Sequence, residues 1–585
     1  MAQQQALNVS RTRVNRTNWA PIIQTALFVF VALIIVAPLS MVLLGGFNDA
    51  GPFEAFRFGF SHWSEAWRDG DVGAALQNTF TITALRGVLG FAIAIPLAWL
   101  VARTNVPGAR YLEFGFWIAF FMPPLASVQG WIFLLGYPRG LLHQLILHTF
   151  PDFDTSWMDI YSYWGIVLVH LMAQNVSALF VLLVISFRKM DSSLEEAARI
   201  SGATKWRTLR QIVLPLSRPM IAMLVVLTVI RGMQSYEIET VLGKPVNINV
   251  FSTLIVNMIS DEPPRLAQAS ALSTFLMLIL VPLILFQRIY VGRHQYATVG
   301  SKMRTAAVDL KGWRWAAFAL VLVFVLLQTL IPLLGTLAAS LMKRSGFFFI
   351  DHPWTLKWWG AVLSNTSFLS SLKTTTMLGL WAGLGSAVAS FAVAYVMVRT
   401  KFRARAALDF VTWLPWAVPG ALLSFGVLSF VLSNPISRDL HGTIFILVLV
   451  MIMFRFPLGV HLLKSGLMQI NRELEEASLI CGANRVKTQF RIIAPLLTPM
   501  MIAVALMTFV AAVTEVSGVI LLASTNTQTL SLLSLGYLTG RDASTEAAAV
   551  VTCVMVMLSI GVALISRAFG IRLGEASAGA EARAH

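Results

Sequence analysis

Long runs of apolar residues alternate with short polar connectors along most of this chain. Crossing the hydrocarbon core of a membrane as a helix takes about 20 such residues. The runs predict twelve spans, in two sets of six separated by a polar, basic connector. The predicted spans are 21–45, 78–102, 112–137, 161–187, 219–241 and 268–292 in the first set, and 314–341, 372–399, 408–432, 441–464, 499–522 and 545–568 in the second.

One polar stretch between the apolar runs occurs twice, at a spacing of 280 residues. Between 194–220 and 474–500, 13 of 27 positions are identical. Self-similarity at a fixed spacing indicates a duplicated unit. Because six is an even number of crossings, the two halves are predicted to run parallel, related by an axis along the membrane normal. Both copies then lie between the fourth and fifth spans of their half, on the same side of the membrane.

The predicted fold class is an all-α integral membrane protein with about 12 transmembrane helices in two parallel repeats of six. The first half is assigned to 21–293 and contains one polar segment at 191–219, and the second half is assigned to 314–570 and contains the other at 471–499. The remaining pieces are an N-terminal tail at 1–20, a linker at 294–313 and a C-terminal tail at 571–585.

The charge distribution supports this topology. The chain is 57% hydrophobic and 12% charged, whereas soluble domains carry about 25% charged residues. If the N-terminus is cytoplasmic, 30 of the 44 Lys and Arg residues fall in cytoplasmic segments and 10 in periplasmic ones. This bias is typical of insertion into a bacterial inner membrane, with both termini in the cytoplasm. It also accounts for the net charge of +16 without a nucleic-acid partner, because no soluble basic domain is present.

Each polar segment has the local pattern of a helix, a glycine turn and a second helix. Paired glutamates occupy a predicted first turn, where carboxylates favour the positive end of the helix dipole. A glycine about two turns later suits the left-handed conformation that ends many helices. A second helical piece is predicted from about 204 to 213 in the first copy. The segment could dock into a cytoplasmic partner or lie on the membrane surface; duplication favours docking onto two partner subunits.

These segments resemble the coupling segment of ATP-binding cassette (ABC) importer permeases. The first reads Glu195-Glu196-Ala197-Ala198 and continues to Gly202; the second reads Glu475-Glu476-Ala477-Ser478 and continues to Gly482, with serine in place of the second alanine. The resemblance extends to the layout of both halves, so it covers essentially the whole chain. It implies a type I importer fold, two copies of an ABC ATPase subunit seated on the two segments, and a periplasmic substrate-binding protein.

The chain is not predicted to be an enzyme. It has no phosphate-binding loop of the G-x-x-x-x-G-K-[ST] type, no H-E-x-x-H and no nucleophile elbow. ATP hydrolysis is therefore assigned to separate subunits. Cys481 and Cys553 are far apart and match no metal or redox spacing, so no cofactor and no metal site are predicted.

Ionisable residues within the predicted spans are candidates for the translocation pathway, since they are costly in a bilayer. The residues selected are Arg231 and Glu237 in the fifth span, and Thr514, Glu515 and Ser517 in the eleventh. Two alternatives remain: Arg231 and Arg455 pair with acids between helices, or Glu237 and Glu239 reach interfacial water. Prolines at 123–124 and 415–419 indicate either discontinuous helices beside a pathway or plain kinks.

The substrate is ranked by resemblance alone. Both halves are fused, and the run from Thr514 to Ser524 with Ala547–Ala549 resembles the ferric-iron group of fused permeases. Similar chains serve 2-aminoethylphosphonate or thiamine, and polyamine permeases are related. A secondary active transporter with twelve spans is the alternative class. Its expected motif between the second and third spans is G-x-x-x-D-R-x-G-R, and the loop Arg103–Arg110 does not fit it.

Overall fold

The chain is helical in the computed structural model, which describes residues 19–49, 56–188, 190, 197–198, 200–293, 308–540 and 543–568. The first half contains α1 (Trp19–Gly46), α2 (Gly70–Arg103), α3 (Ala109–Phe121), α4 (Pro124–Leu135), α5 (Tyr163–Arg188), α6 (Arg218–Met233), α7 (Glu237–Leu242), α8 (Phe251–Ser260) and α9 (Leu266–Arg293). The second contains α10 (Arg314–Leu341), α11 (Thr366–Arg399), α12 (Arg405–Trp413), α13 (Gly420–Ser433), α14 (Ile444–Gln469), α15 (Glu473–Ile480), α16 (Ala494–Thr514), α17 (Leu530–Thr539) and α18 (Thr545–Ala568). Within these ranges there are isolated β-bridges and no β-strand.

The predicted membrane spans are confirmed in number and order. Ten helical segments are long and apolar enough to cross a membrane, and two bent pairs bring the number of candidate spans to 12. The bent pairs are α3 with α4, at 99°, and α12 with α13, at 112°. Both bends fall at the prolines noted in the sequence, so these spans are broken rather than kinked. A proline removes one backbone hydrogen bond and clashes with the preceding turn, which favours a break there.

The fifth and eleventh spans were predicted to extend too far. The fifth breaks at Gln234–Tyr236, between α6 and α7, and the eleventh ends at Thr514, with turns after it. A 10-residue helix follows each of these breaks, α8 in the first half and α17 in the second. Neither was predicted, because 10 apolar residues are too few to cross the membrane.

Shorter helices lie in the connections. These are Ser61–Arg68, Leu141–Thr149, Lys205–Thr208 with the π-helical turn Leu209–Val213, Lys357–Leu363, and Arg485–Thr488 with the π-helical turn Gln489–Ile493. The π-helical turns occur at matching places in the two halves and lead into the fifth and eleventh spans. The predicted second helical piece of each polar segment is therefore present, with one wider turn inside it.

The first helix of each half packs on the other half. Helix α1 contacts α9 of its own half and α12 and α13 of the second half. Helix α10 contacts α18 of its own half and α3 and α4 of the first half. The two largest apolar clusters accordingly each contain residues from both halves. The duplicated units thus share a common core.

Glycines allow these two crossings to be close. A Cβ added to Gly130 on α4 would lie 2.4 Å from the Cα of Pro332 on α10. A Cβ added to Gly426 on α13 would lie 2.6 Å from the carbonyl oxygen of Pro38 on α1. Real Cβ atoms do not approach backbone this closely, so both positions require glycine. Small residues at helix crossings serve this purpose in membranes, where packing drives association.

Candidate functional site

The second polar segment begins with helix α15. Its N-terminal end is capped by Asn471, whose Oδ1 accepts a hydrogen bond from the Glu473 amide at 3.3 Å. Glu473, Glu475 and Glu476 all lie in the first turn, as the helix dipole favours. The helix ends at Gly482, which has a φ of +83°. The amide of Ala483 then donates to the carbonyl of Ser478 at 3.1 Å, which closes a Schellman turn.

The described part of the first polar segment has the same turn. Gly202 has a φ of +79°, and the Ala203 amide donates to the carbonyl of Ala198 at 2.9 Å. Replacement of the second alanine by serine in the other copy therefore leaves the turn unchanged. Ala197 is present in this helical turn, whereas Glu195 and Glu196 lie outside the described residues. A Cβ added at Gly202 or Gly482 would meet nothing within 4 Å, so glycine is needed there for its conformation.

Both polar segments expose apolar side chains at matching positions. Ile200 is 88% exposed and Ile480 is 86% exposed. Each precedes the glycine turn by two residues. Such side chains at the tip of an ordered turn provide apolar area for a partner to cover.

The second polar segment is attached to the long helix α11 by an arginine. Arg399, the last residue of α11, is 5% exposed, and its Nε lies 2.7 Å from Oε1 of Glu475. Its Nη2 also donates to the carbonyls of Leu467, at 3.0 Å, and Ile470, at 2.6 Å. One guanidinium thus connects the end of α14, the start of α15 and the end of α11.

The first half uses an arginine at the corresponding position. Arg103 is the last residue of α2, is 2% exposed and donates from Nη1 to the carbonyl of Met190 at 3.1 Å. Met190 stands in the first half where Ile470 stands in the second, 280 residues later.

The residues predicted to line a pathway gather at the breaks that follow α6 and α16. Arg231 is exposed near the end of α6, with Glu237 and Glu515 as its main electrostatic partners. Glu237 is half-buried and is the first residue of α7. The prediction that Glu515 lies within a helix is wrong, since it is the first residue after α16. The structure therefore brings residues of both halves together where the helices stop.

Glu515 organises the turn that follows it. Its Oε1 accepts hydrogen bonds from the Ser517 hydroxyl at 2.9 Å and from the Gly518 amide at 3.0 Å. Ser517 is 8% exposed. Thr514 points into its own helix, where its hydroxyl donates to the carbonyl of Val510 at 3.2 Å. Of these three residues, Glu515 alone combines partial exposure with a formal charge.

Arg455, on α14, belongs to the same group of charges. Its electrostatic partners are Glu515 and Arg231. Within the described residues, the ion pairs closer than 4.0 Å include neither Arg231 nor Arg455. The alternative in which these two arginines form close pairs with acids between helices is therefore not what the structure shows.

A buried charged network in the first half was missed by the sequence analysis. His170 on α5 lies with its Nε2 2.7 Å from Oε1 of Glu239 on α7, and its Nδ1 lies 3.3 Å from Nη1 of Arg86 on α2. The hydroxyl of Ser235 donates to the other Glu239 oxygen at 2.7 Å. All three ionisable side chains are less than 9% exposed, so Glu239 does not reach interfacial water. An arginine and a histidine inside apolar runs were the available signal.

The two halves differ at this network. The repeat places Ala382 and Met451 where Arg86 and His170 stand in the first half. The second half therefore holds its break by hydrogen bonds around Glu515, whereas the first half uses an ion pair between α5 and α7. Within the described ranges, no group of three or more His, Cys, Asp or Glu side chains is arranged to hold a metal ion.

The fold and the paired polar segments define a class: a polytopic membrane permease made of two fused, parallel halves. Residues 94–295 and 376–573 both match the family described as the binding-protein-dependent transport system inner membrane component. These two matches cover more than half of the chain. The protein therefore belongs to this family, with the family domain present twice, and is a fused permease of an ABC importer.

Similar proteins carry names that agree with this class. A chain of Sinorhizobium fredii, provisionally named an ABC transporter permease protein, is 27% identical over 87% of this chain and 91% of its own length. A ferric transport system permease protein of Actinobacillus pleuropneumoniae is 26% identical over 78% of this chain and 66% of its own length. The crystal structure of a bacterial ABC transporter involved in the import of alginate covers 47% of this chain at 18% identity, with a TM-score of 0.40.

Proposed function

We propose that this chain is the transport subunit of an importer whose ATP hydrolysis is performed by two separate ATPase subunits, one docked on each polar segment. The observation that carries the proposal is the repeated turn with an exposed isoleucine, at Ile200 and at Ile480. Two equivalent knobs on one face suit two copies of one partner. The polar segments at 191–219 and 471–499 are named coupling segments from here on.

Association with the ATPase subunit tests this proposal. Ile200→Asp and Ile480→Asp place a charge in the apolar contact, and we expect each to weaken co-purification and both together to abolish it. Ile436→Asp is the matched control, because Ile436 is 90% exposed in a loop outside both segments. Proton-driven uptake by the chain alone, without any ATPase, would instead support a secondary transporter and refute the proposal.

Charged and polar side chains at the two breaks are proposed to line the translocation pathway. The residues are Arg231, Glu237, Thr514, Glu515 and Ser517. Support comes from their position at the junction of the halves and from the partial exposure of the charged ones. We expect Glu237→Gln and Glu515→Gln each to reduce uptake while leaving the amount of inserted protein unchanged. Glu65→Gln, on the exposed helix Ser61–Arg68, is the control; full uptake in both pathway variants would remove the proposal.

Ferric iron is the proposed substrate. It is supported by the name of the Actinobacillus pleuropneumoniae relative, at modest identity. 2-Aminoethylphosphonate, thiamine and polyamines are the competing solutes. Titration of the purified partner binding protein with each of these solutes tests the assignment directly, and we expect saturable binding of ferric iron. Tight binding of one of the other solutes, with none of iron, would replace it.

The proposed location is the bacterial inner membrane, with both termini in the cytoplasm and a binding protein docking on the opposite face. Exposed aromatic side chains in the 137–164 connection, including Trp157 at 72% and Phe150 at 64%, offer contact area on that face. A reporter fused to either terminus is expected to be active only in the form that requires the cytoplasm. Exposure of either terminus to the periplasm would contradict this topology.

A further inference from the structure

The two longest helices are fastened at both ends in the same way. Helices α2 and α11 each have 34 residues. Each ends on an arginine that holds a coupling segment, as described above. Each also carries a threonine at its tenth position, Thr79 in α2 and Thr375 in α11. Threonine and arginine are therefore separated by the same distance along both helices, roughly 36 Å at 1.5 Å per residue.

The threonines hold the start of the short helices beside the pathway. Oγ1 of Thr375 accepts a hydrogen bond from the Leu530 amide, the first in α17, at 2.8 Å. Oγ1 of Thr79 accepts one from the Phe251 amide, the first in α8, also at 2.8 Å. Both threonines are less than 4% exposed. Amides in the first turn of a helix have no partner within the helix, so each threonine supplies a bond that the short helix lacks.

The second residue of each short helix then contacts the break itself. The hydroxyl of Ser531, in α17, donates to the carbonyl of Glu515. The hydroxyl of Ser252, in α8, donates to the carbonyl of Ser235. Ser235 and Glu515 are 280 residues apart, at the same place in the repeat. The series of contacts from coupling segment to pathway is thus present twice, although most surrounding side chains differ between the halves.

We infer that α2 and α11 are the connecting rods of the transporter, and that Thr79, Thr375, Arg103 and Arg399 are positioning residues that transmit movement of the coupling segments to the pathway breaks. A rod transmits displacement only if both of its ends are held. The arginine holds one end through buried carbonyls and, in α11, a carboxylate; the threonine holds the other through a buried amide. None of the four residues needs to touch the solute. The inference rests on the proposed coupling to ATPase subunits.

The rod in α11 is the better one to test, because α2 contains Pro96 and α11 contains no internal proline. Thr375→Val keeps the side-chain shape and removes the acceptor for the Leu530 amide. Thr376→Val is the matched control, since Thr376 is exposed and its hydroxyl bonds only within the helix, to the carbonyl of Leu372 at 2.8 Å. Thr375→Ser restores the acceptor.

The measurement is solute imported per ATP hydrolysed, in proteoliposomes containing the complete complex with its binding protein. For Thr375→Val we expect this ratio to fall about three- to tenfold with ATP hydrolysis retained, the size of effect that one buried hydrogen bond supports. Thr376→Val and Thr375→Ser should keep the wild-type ratio. Arg399→Lys should also lower the ratio, and the double variant should be no worse than the more affected single variant, because both act on one rod.

The inference is overturned if Thr375→Val keeps the wild-type ratio, or if import and ATP hydrolysis fall together in proportion, as a merely structural role would produce. Additive losses in the double variant would also contradict a single rod. Failure of the proposed function is a separate outcome, since it would appear as absence of ATP-dependent import by the wild-type complex.

Discussion

At the scale of single residues, the charges inside the membrane fall into two groups with different surroundings. Arg86, His170 and Glu239 are buried and satisfied by one another, which identifies them as structural. Arg231 and Glu515 keep exposed area at the junction of the halves, which suits contact with a solute. The sequence located ionisable residues in apolar runs but could not sort them, because their partners come from helices far apart in the chain.

Removing one member of the buried network should destabilise the protein. Glu239→Gln leaves the positive charge of Arg86 without a carboxylate nearby, and breaking a buried pair in this way costs about 3–5 kcal/mol. We expect a clearly lower unfolding temperature in detergent. Glu237→Gln is the comparison, two residues away and only half-buried, and should shift that temperature much less. Equal unfolding temperatures for the two variants would show that the network contributes no stability.

At the scale of elements, what the sequence predicted follows from what the bilayer demands. Long apolar helices were predicted correctly because a backbone in lipid must satisfy its own hydrogen bonds. Glycine turns in the coupling segments were predicted because left-handed backbone strongly favours glycine. Helices α8 and α17 were missed, because their start depends on threonines from α2 and α11 rather than on local sequence. The breaks at the prolines were anticipated only as one of two outcomes.

The glycine on α13 gives a prediction about helix crossing. Gly426→Ala places a methyl group 2.6 Å from the backbone oxygen of Pro38, so α1 and α13 must separate. We expect a loss of about 1–3 kcal/mol in stability, as for other overpacked sites. Gly561→Ala in α18 meets nothing within 4 Å and should be neutral or slightly stabilising. Thermal unfolding of both variants in detergent measures the difference, and equal stability would refute the close crossing.

At the scale of the whole molecule, the halves are joined by packing as well as by the linker. Helices α1 and α10 each cross to the other half, and residues after the linker are held by the first half. The amide of Val308 donates to the carbonyl of Arg103 at 2.8 Å, and the amide of Asn105 returns a bond to the carbonyl of Val308 at 3.3 Å. The sequence predicted two parallel units but not this exchange, since nothing local specifies which half an apolar helix will contact.

Cutting the chain within 294–307 should therefore leave the assembly intact. We expect the two halves, produced as separate chains, to co-purify and to support import at a reduced but measurable rate. Removing residues 1–49 from the first chain deletes α1 and should weaken co-purification, because α12 and α13 lose their covering helix. Halves that separate completely even with α1 present would show that the linker, and not the exchange, holds the molecule together.

The exchange of first helices also sets an order of events during biogenesis. Helix α1 leaves the ribosome first, but its contact at Gly426 is synthesised tens of seconds later, at roughly 5–20 residues per second. During that delay α1 must reside alone in lipid, with most of its side chains facing acyl tails. Helix α1 is the most apolar of the candidate spans and α10 is the second, as helices that wait without a protein partner need to be.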